Sequence, residues 1–293
     1  MSETVITPHV SFHRGELWSA ITRDRAAFAG GILVILLVFV ALFAPWLAPH
    51  DPVRQDLARA LLPPGGEYPL GTDEMGRCLL SRVLFGARIS LAVGFFVGGL
   101  AAILGMFIGL VAGYYGGLLD EVLMRLTDIF MGLPNIVFVL AVVGVLGPGL
   151  KHTVLALVVM GWVPFARLVR GSVLSLKERE FVQAARALGF SHWRIMVRHI
   201  LPHALGPVVV LATLHIPHAI LAVAGLSFLG LGVQPPTPEW GAMLNAARSS
   251  MRTYPLQMVA PGLMVFLTVL AFNLVGNGLR DALDPRRRSR FTF

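Results

Sequence analysis

Two pairs of histidines have the spacing that metal ligation on a helix requires. His199 and His203 lie four residues apart, and His215 and His218 lie three apart, so each pair can share one helix face. A metal site also needs further ligands and neighbouring groups that orient the imidazole rings, and neither is evident around these positions. We therefore favour helix packing or interface polarity and predict no metal, with His215 and His218 as the remaining candidates.

No motif for catalysis or nucleotide hydrolysis is present in the sequence. GPGLKHT at 147–153 lacks the spacing of a phosphate-binding GxxxxGK[ST] loop, and the chain has only two lysines. GLSFLG at 225–230 places its second glycine one residue too far for a GxSxG nucleophile elbow, and no HExxH occurs. The sequence predicts a protein that is not an enzyme and has no cofactor of its own.

The composition is that of an integral membrane protein. Of the 293 residues, 56% are hydrophobic and 14% are charged, whereas a soluble domain carries about 25% charged residues. The net charge of +8 lies in a few loops between apolar runs, which suits membrane orientation better than nucleic-acid binding. The only cysteine, Cys78, excludes an intramolecular disulfide. We expect lipid contact and no nucleic-acid partner.

Six apolar runs are long enough to cross a hydrocarbon core about 30 Å thick. A single span must satisfy its own backbone hydrogen bonds, and these runs are too long for barrel strands, so we predict helices. The first run exceeds the apolar core of a signal peptide, which predicts an uncleaved helix. The predicted spans are 26–47, 89–112, 122–146, 153–168, 205–229 and 256–275.

Two pairs of polar residues in or beside these spans are candidates for function or for helix contacts. Arg125 and Asp128, at the start of the third span, are either functional charges inside the membrane or an ion pair on the helix surface at the cytoplasmic interface. We favour the ion pair. Asn273, in the sixth span, and Asn277, just after it, are expected to form hydrogen bonds between helices.

The distribution of Lys and Arg predicts that both termini lie in the cytoplasm, since sixteen of these 24 residues then fall on the inner side. Residues 1–25 form a cytoplasmic tail, 26–280 the membrane domain and 281–293 a basic cytoplasmic tail. Two segments rich in Pro and Gly, 48–88 and 230–255, then face the outer compartment. They are long enough to form a surface there, although they can also be mere connectors.

The segment 177–202 cannot cross the membrane, yet it has a helical pattern. It holds five positive and two negative side chains, and each costs about 2.5–3.5 kcal/mol at a helix centre in lipid. Gly189 is expected to end one helix and Ser191 to cap the next. Small residues on the apolar face favour docking into a protein groove over lying in the lipid interface. That predicted face consists of Phe181, Ala184, Ala185 and Leu188.

This segment resembles a cytoplasmic motif of the inner-membrane permeases of ABC importers, which has the form EAA, three residues, Gly, nine residues, Ile-x-Leu-Pro. The chain has Gln183-Ala184-Ala185, Gly189 and Leu201-Pro202 at the matching spacing. It departs from the motif at Gln183, which replaces Glu, and at His199, which occupies the Ile position.

The resemblance extends over nearly the whole chain. It points to the dipeptide, oligopeptide and nickel branch of these permeases, and to the second, C-type permease of that branch. Cys78 stands where Asp is expected. The matching stretches are FAPWLAPHDP, YPLGTDEMGRCLLSRVLFGARISLAVG, GYYGGLLDEVLMRLTDIFMGLP, LSFLGLGVQPPTPEWG and FNLVGNGLRDALDPR.

The resemblance implies an all-α fold with six transmembrane helices of the type I ABC importer permease kind and a cytoplasmic coupling helix. It implies a bacterial-type inner membrane and four partners: a related second permease, two cytoplasmic ABC ATPases that bind ATP and Mg, and an extracytoplasmic solute-binding protein. The implied transport is inward alternating access, with di- or oligopeptides as leading solutes and nickel or glutathione as alternatives. The ATPase-coupling residues are then Phe181, Gln183, Ala184, Ala185, Leu188 and Gly189.

A second class of function is an ion-gradient-driven carrier. Such a carrier predicts buried carboxylates at the membrane midplane and an inverted repeat with broken helices. Neither is clear in the sequence. The residues that line a translocation path are not identifiable from the sequence under either hypothesis.

Overall fold

The computed structural model describes residues 24–283, which are helical with connecting loops. Within this range no β-strand forms beyond two isolated bridges, Gly65 with Tyr68 and Thr72 with Cys78. The predicted tails, 1–25 and 281–293, lie outside the described residues except at their inner ends. The helices are α1 Arg25–Leu47, α2 Leu79–Tyr115, α3 Gly117–Gly132, α4 Asn135–Leu146, α5 Leu150–Leu176, α6 Glu180–Ala187, α7 His192–Ile195, α8 Leu201–Phe228, α9 Trp240–Ala246 and α10 Leu256–Leu283, with a 3₁₀ turn at Leu57–Arg59 and a π segment at Met196–Ile200.

Among the described residues, five helical stretches are long and apolar enough to cross a membrane. They are α1, α2, α5, α10 and the run from α7 to the end of α8. The sixth span is α3 together with α4, which are bent by 88° at their junction. The predicted third span, 122–146, is therefore wrong as one continuous helix. Pro134 lacks an N–H donor and forces the extended conformation on Leu133, whose φ and ψ are −90° and 129°.

Two helices are longer than their apolar runs predict. α2 has 37 residues and begins at Leu79 rather than at residue 89. The run from α7 through α8 begins at His192 rather than at 205, with a π segment before Pro202, which lies in the first turn of α8. Hydropathy marks only the part of a helix that lies in lipid, whereas backbone hydrogen bonding continues into the aqueous layer.

Small residues allow the spans to pack closely. On α2, a Cβ at Gly105, Gly109 or Gly113 would collide with successive turns of α5. The contact positions rise together along both helices, so α2 and α5 run in the same direction. α8 runs opposite to α2, because Gly94 meets Ile220 whereas Gly98 meets Ile216. α2, α5 and α8 are the second, fourth and fifth spans, so these directions are those of a chain in which successive spans cross the membrane in opposite directions.

The segments before α2 and after α8 fold together over one end of the bundle. Arg82 donates through Nη1 to the carbonyl oxygens of Pro52, at 2.9 Å, and of Pro236, at 3.3 Å. Asp73 accepts from Arg77 Nε at 2.7 Å. Trp240 is fully buried and donates to the carbonyl of Val83 at 3.1 Å. These contacts give the segments an ordered, packed structure.

Candidate functional site

α6 has the boundaries that the sequence predicts for a short helix between two membrane spans. Gly189 follows it with φ of +75°, in the left-handed region that favours glycine, and its N–H donates to the carbonyl of Arg186 at 2.9 Å. Ser191 Oγ then accepts from the N–H of Arg194 at 3.4 Å and begins α7. The two turns hold α6 between the end of α5 and the start of α7.

The inner face of α6 packs against the protein itself. Val182 is 0% exposed and Ala185 is 3% exposed. Both belong to a core cluster with residues of α2, α5 and the π segment, including Leu110, Val173 and Ile200. This face anchors α6 to the ends of three membrane helices.

The predicted single apolar stripe on α6 is therefore wrong for Ala185, which faces inward beside Val182. The sequence pattern could not show this, because small residues on a short helix fit equally well against the protein's own bundle or against a partner. Val182, which lies outside the predicted stripe, packs into the core cluster together with Ala185. Its apolar, β-branched side chain lies three positions before Ala185, a spacing that places both residues on one helix face and could have indicated the buried side of α6.

The outer face of α6 is uncovered. Leu188 is 73% exposed and Phe181 is 36% exposed. Gln183, Ala184 and Gly189 are also exposed. We call these five residues the outer face of α6. Apolar side chains grouped on an exposed helix indicate a protein contact surface.

Ion pairs connect the spans near α6. Arg170 of α5 donates to both carboxylate oxygens of Asp120 in α3, at 2.5 and 2.7 Å. Lys177, at the end of α5, donates through Nζ to the carbonyl of Gly113 in α2 at 3.1 Å. α5 is thereby fixed to α2 and α3 just before the chain enters α6.

Arg125 and Asp128 do not pair with each other, so the favoured ion pair is wrong. Asp128 accepts from Arg167 of α5 at 2.5 Å, and Arg125 lies 4.0 Å from Glu121, one turn earlier on α3. Three-residue spacing permits a pair on one helix, but a partner on a neighbouring helix offers the shorter contact. Asp128 joins α3 to α5, whereas Arg125 pairs within α3.

The four histidines fall into two separate places. His203 lies beside Phe181, with ring centroids 5.2 Å apart, and His199 stacks on Phe190 at 5.8 Å. His215 and His218 lie farther along α8, where His218 Nδ1 is 2.7 Å from the carbonyl oxygen of Leu214. In residues 24–283 no group of three or more His, Cys, Asp or Glu side chains is placed to hold a metal ion.

A salt bridge orders the outer loop between α1 and α2. Arg59 Nη1 donates to both carboxylate oxygens of Glu67, at 3.0 and 2.9 Å, and to Tyr68 OH at 2.8 Å. The hydrogen bond from Arg59, and then that from His50, lower the pKa of Glu67 below its usual range. The Arg59 pKa is raised by its hydrogen bonds to Tyr68 and Glu67.

Comparisons with known families match most of the chain. The profile described as "Binding-protein-dependent transport system inner membrane component" matches residues 105–289. A second profile, described as "N-terminal TM domain of oligopeptide transport permease C", matches residues 14–64.

Curated relatives cover nearly the full length. The "Glutathione transport system permease protein GsiD" of Pectobacterium atrosepticum is 45% identical over 94% of this chain and 91% of that protein. The protein of the same name from an Escherichia coli strain is 47% identical over 92% of this chain and 90% of its own length.

Solved structures share the fold. An inward-facing structure of the MetNI methionine ABC transporter aligns with a TM-score of 0.55 and 19% identity, over 70% of this chain and 98% of the matched chain. An amino acid ABC transporter with histidines aligns with a TM-score of 0.51 and 17% identity, over 68% of this chain and 92% of the matched chain.

Proposed function

Because the chain belongs to the family of inner membrane components of binding-protein-dependent transport systems, we propose that it is one permease subunit of an ATP-driven importer and that its solute is glutathione. The matches confirm the predicted ABC permease, its all-α fold and its non-catalytic role. The predicted branch was the dipeptide, oligopeptide and nickel branch, and the relatives support the dipeptide, oligopeptide and glutathione branch. It is a multi-pass membrane protein.

The choice of glutathione departs from the leading prediction of di- or oligopeptides. It is supported by relatives named as glutathione permeases that are 45% and 47% identical over at least nine tenths of both chains. The match of residues 14–64 to an oligopeptide permease supports a peptide-like solute in general. Glutathione is itself a tripeptide, so both matches support a solute that contains peptide groups.

The outer face of α6 is the proposed docking surface for an ATPase. The proposal rests on the difference in exposure between the two faces of α6. Val182 and Ala185 are buried against the bundle, whereas Leu188 is 73% exposed. An exposed leucine on a helix anchored from behind suits insertion into a groove of a water-soluble partner. In this proposal the face lies in the cytoplasm of a bacterial-type cell, with both termini on the same side.

The proposed importer contains four further components: a related permease, two ATPases that bind ATP and Mg, and an extracytoplasmic solute-binding protein. ATP-driven closure of the ATPases moves α6. The ion pair of Arg170 with Asp120 and the hydrogen bond from Lys177 to Gly113 transmit that movement to α2, α3 and α5. The spans then rock between inward and outward openings, and ATP binding biases this equilibrium by linkage.

The proposal is tested by co-purification in mild detergent from cells that express all components with Leu188→Arg in this chain. We expect the ATPase that docks on this chain to be lost while the related permease is retained. Leu118→Arg is the matched control, because Leu118 is 77% exposed at the start of α3, outside α6. Full retention of the ATPases by the Leu188→Arg variant would overturn the proposed docking face.

A further inference from the structure

A cavity of about 160 Å³ lies among α4, α5 and α8. Its lining includes Asn135, at the start of α4, Gly161 of α5, and His215 and His218 of α8. His215 lies near the middle of α8, about 20 Å from either end at 1.5 Å per residue. Polar side chains of two helices that are distant in sequence, α4 and α8, thus meet beside α5 at mid-membrane depth.

The polar atoms that face this cavity have unused hydrogen-bonding capacity. His218 uses Nδ1 for the carbonyl of Leu214, at 2.7 Å, so its Nδ1 carries the proton and its Nε2 stays free. Within residues 24–283 the side chains of Asn135 and His215 make no hydrogen bond. In hydrocarbon such groups cost several kcal/mol each, so this face does not lie against lipid.

The broken span leads to the same conclusion. The bend of 88° between α3 and α4 immediately precedes Asn135, and Leu133 and Ile136 around it are 43% and 61% exposed. Irregular backbone at membrane depth is tolerated only where protein or a water-filled space covers it. Phe130, just before the break, packs against Trp162 of α5 with ring centroids 5.8 Å apart, which fixes the break at the depth of the cavity.

Gly161 leaves the space in which His215 sits. A Cβ at position 161 would lie 2.9 Å from His215 Nε2 and 3.1 Å from the Cβ of Ala101. The imidazole is held from its other side by the ring of Phe165, with centroids 5.4 Å apart. These contacts place the ring at the cavity wall.

We propose that this cavity is a solute-contact site of the transmembrane passage, in which Asn135 and His218 bind a peptide group of the solute. The amide of Asn135 donates to a peptide carbonyl or carboxylate, and the free Nε2 of His218 accepts from a peptide N–H or an ammonium group. The volume accommodates about one peptide group, and the second permease completes the enclosure. The inference rests on the proposed transport of a peptide-like solute and assigns residues to its path.

The first experiment measures water access with cysteine labelling of the whole reconstituted importer. Cys78 is 2% exposed and is the only cysteine of this chain, so Cys78→Ala leaves this chain without a thiol, and labelling is read from this chain alone. Ala222→Cys introduces a thiol at the cavity wall, and Leu155→Cys is a control that is 52% exposed on another face of α5. We expect a charged methanethiosulfonate reagent to modify residue 222 but not residue 155 in vanadate-trapped complexes. Absence of labelling at 222 in every nucleotide state would overturn the site.

Protection by solute then identifies the ligand class. With binding protein and ATP present, S-methylglutathione, which has no free thiol, should slow labelling at residue 222. Protection by glycyl-leucine but not by S-methylglutathione would support the site and overturn glutathione as the solute. Failure of both to protect a residue that is otherwise labelled would overturn solute contact.

A substitution at His218 separates solute contact from a structural role. His218→Leu should raise the KM for uptake about tenfold, the loss of one hydrogen bond. His218→Gln, which keeps an acceptor, should restore part of the loss. An unchanged KM in the His218→Leu variant would contradict the proposal.

Discussion

Substitutions on the two faces of α6 should have separable effects, and Val182→Ala is the more informative one. Val182 is 0% exposed, and the change removes two methyl groups from the cluster formed by α2, α5 and the π segment. At about 0.8 kcal/mol for each buried group, with a further cost for the cavity left behind, the loss is about 2 kcal/mol. That corresponds to roughly a thirtyfold change in the equilibrium between anchored and released α6.

The assay is thermal unfolding of the permease pair purified without ATPases, followed by titration with the ATPases at low temperature. Val182→Ala should lower the unfolding temperature of the permease pair. At low temperature, where α6 stays anchored to the bundle, its affinity for the ATPases should be nearly unchanged. Leu188→Arg should do the reverse, because a residue 73% exposed contributes little to the fold. Two results would refute this: weaker ATPase binding by Val182→Ala at a temperature where the permease pair is still folded, or a lower unfolding temperature of the permease pair with Leu188→Arg.

Three further changes test other parts of the structure. Gly189→Ala places a Cβ at φ of +75° and should destabilise the end of α6 by about 1 kcal/mol, with Gly189→Asn milder, as measured by proteolysis between α6 and α7. Arg170→Gln should lower coupling of ATP hydrolysis to uptake, and combination with Asp120→Asn should add little further loss, since both remove one ion pair. The hydrogen bond from Arg59 lowers the pKa of Glu67 in the folded protein. The salt bridge therefore stabilises the folded loop above the ordinary carboxyl pKa, and this stabilisation is lost as the pH falls through the pKa of Glu67 in the folded protein. Proteolysis of the outer loop should rise on acidification, and Glu67→Gln should show the high rate at neutral pH.

The sequence predicted the features that depend on local pattern. Long apolar runs located the spans, and the Gly189 and Ser191 signals placed the end of α6 and the start of α7, because each acts through its own backbone. The break at Pro134 also had a local signal, but the apolar run on both sides of it obscured the bend.

Features that depend on packing between distant segments were not predictable. Asn273, expected to connect helices, donates instead to Val269 of its own helix at 2.9 Å. Asn135, Gly161 and His218 meet in one cavity only because α4, α5 and α8 pack together. Their spacing in the sequence does not predict that arrangement. The sequence suggested His218 only as a candidate metal ligand.

The most direct test of the account is uptake of labelled glutathione by proteoliposomes that contain the complete importer. ATP supplied on the side of the ATPases, with the binding protein on the opposite side, should drive uptake that persists when an uncoupler collapses ion gradients. Leu188→Arg should abolish this uptake and Leu118→Arg should leave it intact. Uptake by this chain without ATPases, lost on addition of the uncoupler while ATP stays high, would contradict the account and favour an ion-gradient-driven carrier.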